Sequence, residues 1–310
     1  MGRCDFATGC GDGLPELMQL ATDTNGALVN LKLVAALAVT FIPAISIAGA
    51  EPAGNAEVIK LDMSGPRPAV ELRIADGPSR PAIFDTGSVG TVVNLQHAEA
   101  LGLAREGPLA PPFDRMGISD GFQTRLRDAS IGGVRLPDES VPVIPLPLPD
   151  HVAVFSPYVF SGRFVTLDFS AAEIRLSEKN AANEPKGEAY AYSERRPNLP
   201  TVPLVIAGET IHAHLDTGSG YGLIFPMSYI GRFDLLDAAE PAGKARGHNG
   251  EWPLFRARMK GEVKVGSLTL KDPEARFTDA VPNANVGMEY LRRMKITLDP
   301  QEKRLWVEPA

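Results

Sequence analysis

The chain of 310 residues contains one unit written twice. Ile83-Phe84-Asp85-Thr86-Gly87-Ser88 returns as His214-Leu215-Asp216-Thr217-Gly218-Ser219, so the second aspartate follows the first by 131 residues. Val165-Thr166-Leu167-Asp168 returns as Ile296-Thr297-Leu298-Asp299 at the same offset of 131. Two separate blocks sharing one offset are hard to obtain by chance. Any fold for this chain must therefore accommodate two copies of one element order.

Between these anchors the copies stay in step. Val70, Leu72 and Ile74 alternate with other residues before a turn at Asp76-Gly77, and Val202, Leu204 and Ile206 do so before Gly208. A period of two is what a half-buried strand requires, so each stretch predicts a β-hairpin that leads into Asp-Thr-Gly. After the motif, short helical stretches are expected over Leu95 to Leu103 and over Pro226 to Leu236. Pro226 suits a first helical turn, where a missing N–H costs nothing. Ile131-Gly132-Gly133-Val134 and Val265-Gly266-Ser267-Leu268 are matching strand–turn–strand signals. The segment Ser177 to Pro200, rich in Ala, Asn, Glu, Lys and Pro, reads as a linker in which Tyr190 and Tyr192 begin the second half's first strand. Pro145-Leu146-Pro147-Leu148-Pro149 reads as an extended loop. The expected division is an N-terminal extension and signal peptide over 1–50, a first lobe over 51–178, a linker over 179–200 and a second lobe over 201–310.

A net charge of −7 without any Lys/Arg run argues against a nucleic-acid partner, because polyanions recruit clustered cations. Cys4 and Cys10 both precede the first apolar run, so the body that follows has no thiol for a disulfide, a metal or a nucleophile. Leu33 to Ala50 is uncharged and apolar, follows Lys32 and ends in Ala48-Gly49-Ala50, the small-x-small pattern of a signal-peptidase site. It predicts a periplasmic or secreted protein cleaved after Ala50, with anchorage in a membrane by residues 33–50 as the rival, a span the run barely reaches. Residues 1–28 are too polar for a signal n-region, which suggests Val29 as the true start of translation.

Asp-Thr-Gly by itself is an ordinary turn sequence. Here, however, both copies have apolar flanks, with Thr91-Val92-Val93 and Leu223-Ile224-Phe225 following them. Burying such loops places Asp85 and Asp216 in a low-dielectric setting, costly unless the carboxylates are hydrogen-bonded and used. Two carboxylates around one water, one ionised and one protonated, are the requirement for peptide hydrolysis by this chemistry. Gly87 and Gly218 would let the loops approach closely. Thr86 and Thr217 can bond the opposite loop's backbone, and Ser88 and Ser219 can orient the carboxylates.

On these motifs the chain resembles the retropepsin and pepsin-type aspartic peptidases, most closely the bacterial two-lobed retropepsin-like proteins, from about Val58 to Val307. The resemblance implies an all-β fold of two similar β-barrel-like lobes with short helices and an active site between them. It implies an endopeptidase in which an Asp85/Asp216 dyad activates water, with a polypeptide substrate, no cofactor and no metal. Since both halves lie in one chain, a monomer should suffice. A catalytically weak or inactive peptide-binding or regulatory protein on the same fold is the alternative, and a two-carboxylate glycosidase a weaker third. The family's apolar-apolar-Gly segment before a short helix is matched by Asn285-Val286-Gly287-Met288-Glu289-Tyr290-Leu291, whereas the first copy has Phe155-Ser156-Pro157, with Ser156 at the glycine's place. Substrate-covering flaps are expected around Gly117, Ile118 and Phe122 and around His248 and Trp252, although neither segment holds the tyrosine of pepsin-type flaps. His212-Ala213-His214-Leu215-Asp216 resembles the start of a metal-ligand set, but Thr217 stands where the next histidine would be, and His97, His151 and His248 lack partners at useful spacing.

Overall fold

Alternating apolar residues form the two hairpins. Ala69–Ile74 pairs with Arg80–Phe84, Leu72 opposite Arg80, and Thr201–Ile206 pairs with Glu209–Asp216, Ile206 opposite Glu209. Val70 and Leu72 point into the core while Glu71 and Arg73 face solvent; Val202, Leu204 and Ile206 are buried in the second copy. The second turn is Ala207-Gly208 with both φ positive, at 49° and 82°, the geometry that matches the twist of the flanking strands. The structure is a computed structural model that describes residues 56–110, 118, 120–193, 198–247 and 250–310. The apolar run 33–50, Cys4, Cys10, Gly117 and His248 lie outside the described residues. Among the described residues no helix is long and apolar enough to cross a membrane.

The fold is mostly β, in three sheets. An eight-stranded sheet draws every strand from residues 69–155, and a nine-stranded sheet draws every strand from residues 201–287, so each belongs to one copy. A six-stranded sheet takes three strands from each half, in the order Glu57–Lys60, Glu173–Glu178, Arg163–Asp168, Met294–Asp299, Arg304–Pro309, Tyr190–Ala191. Its two central strands run antiparallel with Thr166 opposite Thr297, Val165 opposite Leu298 and Leu167 opposite Ile296. Exchanging the copies maps this ladder onto itself, so a local two-fold axis passes between Thr166 and Thr297, whose hydroxyls bond at 2.9 Å. Tyr190 therefore does not open the second half's own sheet. It pairs with Leu305 at the edge of the shared sheet, and the backbone N–H of Tyr192 donates to Lys303 at 2.8 Å.

The helical expectations shrink to single turns. Leu95–His97 is a 3-10 turn capped by the Asn94 side chain, and Gly102 at φ 66° prevents a regular helix from reaching Leu103. Met227–Tyr229 is likewise a 3-10 turn; Pro226 precedes it in extended conformation, and Ile230 and Gly231, the latter at φ 84°, leave the helical region at once. The single α-helix among the described residues is Met288–Leu291, directly after Gly287. A continuous apolar core runs under all three sheets, and its largest fully buried side chains include Phe84, Phe155, Phe225 and Phe277.

Candidate active site

Both aspartates stand where a buried strand runs out beside a parallel neighbour. Phe84 pairs with Phe155, and the Asp85 N–H donates to the Phe155 carbonyl at 2.8 Å; Asp216 itself pairs with Gly287. The strands are apolar because both of their faces are covered, and the polar loops that follow must find partners inside the molecule. They find each other. The Thr86 N–H donates to Thr217 Oγ1 at 3.0 Å, and the Thr217 N–H donates to Thr86 Oγ1 at 3.0 Å. The hydroxyls then donate onward across the axis, Thr86 Oγ1 to the Leu215 carbonyl at 2.5 Å and Thr217 Oγ1 to the Phe84 carbonyl at 2.7 Å. Both threonines are 0% exposed, so every bond of this clasp is made away from water.

The clasp brings the glycines against the opposite carboxyl groups. A Cβ at Gly218 would lie 2.5 Å from Asp85 Oδ2, and one at Gly87 would lie 2.7 Å from Asp216 Oδ1. Asp85 Oδ1 accepts from the Gly87 N–H at 2.7 Å and from the Gly218 N–H at 3.0 Å. The two carboxyl groups are within hydrogen-bonding reach of each other. Each keeps a partly open face while its surroundings are densely packed.

Burial raises the pKa of both. Asp216 is pushed up to about 7, by burial first and then by the neighbouring charge of Asp85. Burial also raises Asp85, against the pull of the two glycine N–H groups and the positive charge of Arg67. Two carboxyl groups this close cannot both ionise cheaply, so the pair holds one shared proton. An ionised and a protonated carboxyl side by side can take a proton from a water while giving one to a carbonyl oxygen.

The remaining expected site residues fare differently. Neither Ser88 nor Ser219 bonds a carboxylate: Ser88 Oγ donates to the Gly90 carbonyl at 2.7 Å, and Ser219 Oγ accepts from the Tyr221 N–H at 3.4 Å. Each serine is drawn back into its own loop, whose backbone groups would otherwise lack partners. Phe122 is a core residue, 4% exposed in the strand Phe122–Leu126, with the Arg105 guanidinium 4.3 Å above its ring, so it is not available at a flap tip. Ile118 is half-buried. Trp252 is half-buried on the long hairpin Glu240–Gly247 with Gly250–Arg258, opposite Ala245.

Ser156 occupies the place in the first copy that Gly287 holds in the second, and the structure accounts for the difference. At Gly287 a Cβ would lie 2.3 Å from the Tyr221 carbonyl oxygen and 2.7 Å from that of Ser219. The loop is drawn that close by N–H donation from Gly287 to Gly222, Met288 to Ser219 and Glu289 to Tyr221. In the first copy Met288 is replaced by Pro157, which has no N–H to give. Without that donor a side chain fits, and the fully buried Ser156 uses its Oγ to cap the Tyr158 N–H at 3.4 Å.

Sequence reasoning missed Asn285. Its Nδ2 donates to Asp216 Oδ2 at 2.9 Å. The signal was present as a polar residue in an otherwise apolar strand, at a position where the first copy has Val154. Among the described residues no group of three or more His, Cys, Asp or Glu side chains is placed to hold a metal ion, and His212 is exposed while His214 is buried. Compared with models of known protein families, the sequence matches none of them.

Proposed function

We propose that the protein is an aspartic endopeptidase whose Asp85 and Asp216 activate a water for peptide-bond hydrolysis, and that its two copy-specific sheets are β-barrel-like lobes of the retropepsin and pepsin type. The observation that carries this reading is the reciprocal threonine clasp, which brings two half-buried carboxyl groups against each other across a local two-fold axis. Structural carboxylates are normally paired with cations, and two of them facing each other are costly unless they share a proton and use it.

In this mechanism ionised Asp85 takes a proton from a water while the oxygen of that water bonds to the scissile carbonyl carbon. Asp216 gives its proton to the carbonyl oxygen, forming a neutral tetrahedral diol. On collapse the proton on Asp85 passes to the departing nitrogen, the C–N bond breaks, and a diol hydroxyl returns its proton to Asp216. The dyad ends as it began, and no cofactor is needed. An extended polypeptide is the fitting substrate, since an extended chain can be held by strand-like main-chain pairing. Both carboxyls come from one chain, so a monomer suffices, and the leader-like sequence makes an exported protein the matching setting.

A peptide-binding protein with little turnover is the second reading, favoured by the first copy's departure at Ser156 and Pro157, where the N–H that Met288 donates has no counterpart. Incubating the purified protein with a mixed peptide library from acidic to neutral pH, with products read by mass spectrometry, separates the two. Cleavage by the wild type and none by Asp85→Asn is the expected result. Binding of library peptides with no cleavage at any pH would favour the second reading.

A further inference from the structure

The two copies supply their aspartates with different donors. Val154 pairs with Ile83 in the first copy, and Asn285 pairs with His214 in the second, so the two residues hold the same place beside the strand that ends in the aspartate. The first copy shows that an apolar side chain satisfies this position as far as folding is concerned. An amide that is 8% exposed within a sheet is costly unless it is bonded, and its bond is to Asp216 Oδ2 at 2.9 Å. Asp216 Oδ1 is the oxygen on the side of Gly87 and Asp85. An N–H aimed at Oδ2 fixes that atom as an acceptor, which leaves Oδ1 to carry the proton. Asp85, in contrast, receives two backbone N–H bonds on Oδ1 and no side-chain amide among the described residues.

We propose that Asn285 is a positioning residue that makes the two aspartates inequivalent, keeping the Asp216 proton on the oxygen toward Asp85 and, by its N–H on the other oxygen, stabilising the carboxylate that forms when Asp216 gives that proton up. This assignment of roles rests on the peptidase reading of the same site. The charged and titratable groups around the pair are Arg67, whose charge acts on Asp85, and His214, which lies opposite Asn285 in the ladder.

The test uses full-length protein carrying 13C-labelled aspartate carboxyls, in the wild type, Asn285→Val and the isosteric Asn285→Asp. The Asp216 signal is assigned by its disappearance in Asp216→Asn, and peptide hydrolysis is followed over pH in parallel. Losing a hydrogen bond to a charged group should move the Asp216 titration up by about one to two units in Asn285→Val. Asn285→Asp should move it further, because a third carboxyl replaces the donor. In both, kcat should fall roughly tenfold with KM changed less than about twofold, the pattern of a group that acts in the transition state. An unchanged Asp216 titration in a folded variant would overturn the proposal, and if valine prevents folding the isosteric aspartate carries the same test. A shifted titration in a protein that hydrolyses no peptide would uphold the positioning role and remove the peptidase reading. Hydrolysis with an unshifted titration would do the reverse.

Discussion

Replacing Thr217 by valine isolates what the clasp contributes. The two side chains have nearly the same shape, so the change removes the hydroxyl with little else. Thr217 Oγ1 accepts from the Thr86 N–H at 3.0 Å and donates to the Phe84 carbonyl at 2.7 Å, and both threonines are completely buried. The variant therefore loses two hydrogen bonds worth about 1 kcal/mol each and strands a buried backbone donor that costs about 1–3 kcal/mol, for an expected loss of about 3–5 kcal/mol. Urea unfolding of wild type and variant, compared by midpoint at equal slope, measures it directly. Thr86→Val should cost the same within about 1 kcal/mol, since its bonds are the mirror set, and Thr217→Ser, which keeps the hydroxyl, should cost clearly less. A loss below about 0.5 kcal/mol for Thr217→Val, or a serine variant as damaged as the valine one, would refute the claim that these bonds hold the loops together.

Gly218→Ala should lower kcat by about a hundredfold or more while leaving the fold largely intact, because its Cβ would sit 2.5 Å from Asp85 Oδ2 and displace the carboxyl; hydrolysis rates and thermal unfolding measure the two effects. Asp216 has its pKa raised from 3.8 to about 7 by burial and by Asp85, so the folded state binds the extra proton and the stability this gives is complete below 3.8 and lost as pH rises to about 7. Asp216→Asn should flatten that part of the stability profile, as measured by denaturation across pH. Asp168 runs the other way: burial pushes it up, but the Lys295, Ser170 and Ala171 donors outweigh burial and hold it at about 2. Its contribution is present above 3.8 and lost as pH falls toward 2, so Asp168→Asn should destabilise the protein by about 1 kcal/mol at neutral pH and by nothing at the acid end.

The duplication was legible because identical residues recur at identical spacing, and the structure keeps that spacing at the level of whole elements. The strands Arg163–Asp168 and Met294–Asp299 differ by 131 at both ends, as do Val92–Asn94 and Leu223–Phe225. The hairpins were legible because alternation and left-handed turn residues such as Gly208 are local properties. The shared sheet was not. Nothing near Thr166 says that it faces Thr297, since that pairing is set by how two distant halves meet. The helices were over-read because Pro226 and a few apolar residues fit a helical turn equally well when the chain leaves it after three residues. Phe122 was misplaced because a Gly turn near an aromatic looks alike whether the ring points out or in. Asn285 escaped notice for a different reason: attention to what the copies share passes over the places where they differ, and the functional asymmetry lies at such a place.

The most direct measurement of the central claim is peptide hydrolysis by wild type, Asp85→Asn and Asp216→Asn under one set of conditions, with unfolding midpoints taken alongside. The wild type should show a bell-shaped dependence on pH, rising as the first proton leaves the pair and falling as the second does. Each variant should stay folded and lose nearly all turnover, because an amide in place of either carboxyl removes the shared proton. A folded variant that kept more than about a tenth of wild-type kcat, less than the loss of one general catalyst costs, would contradict a two-aspartate mechanism.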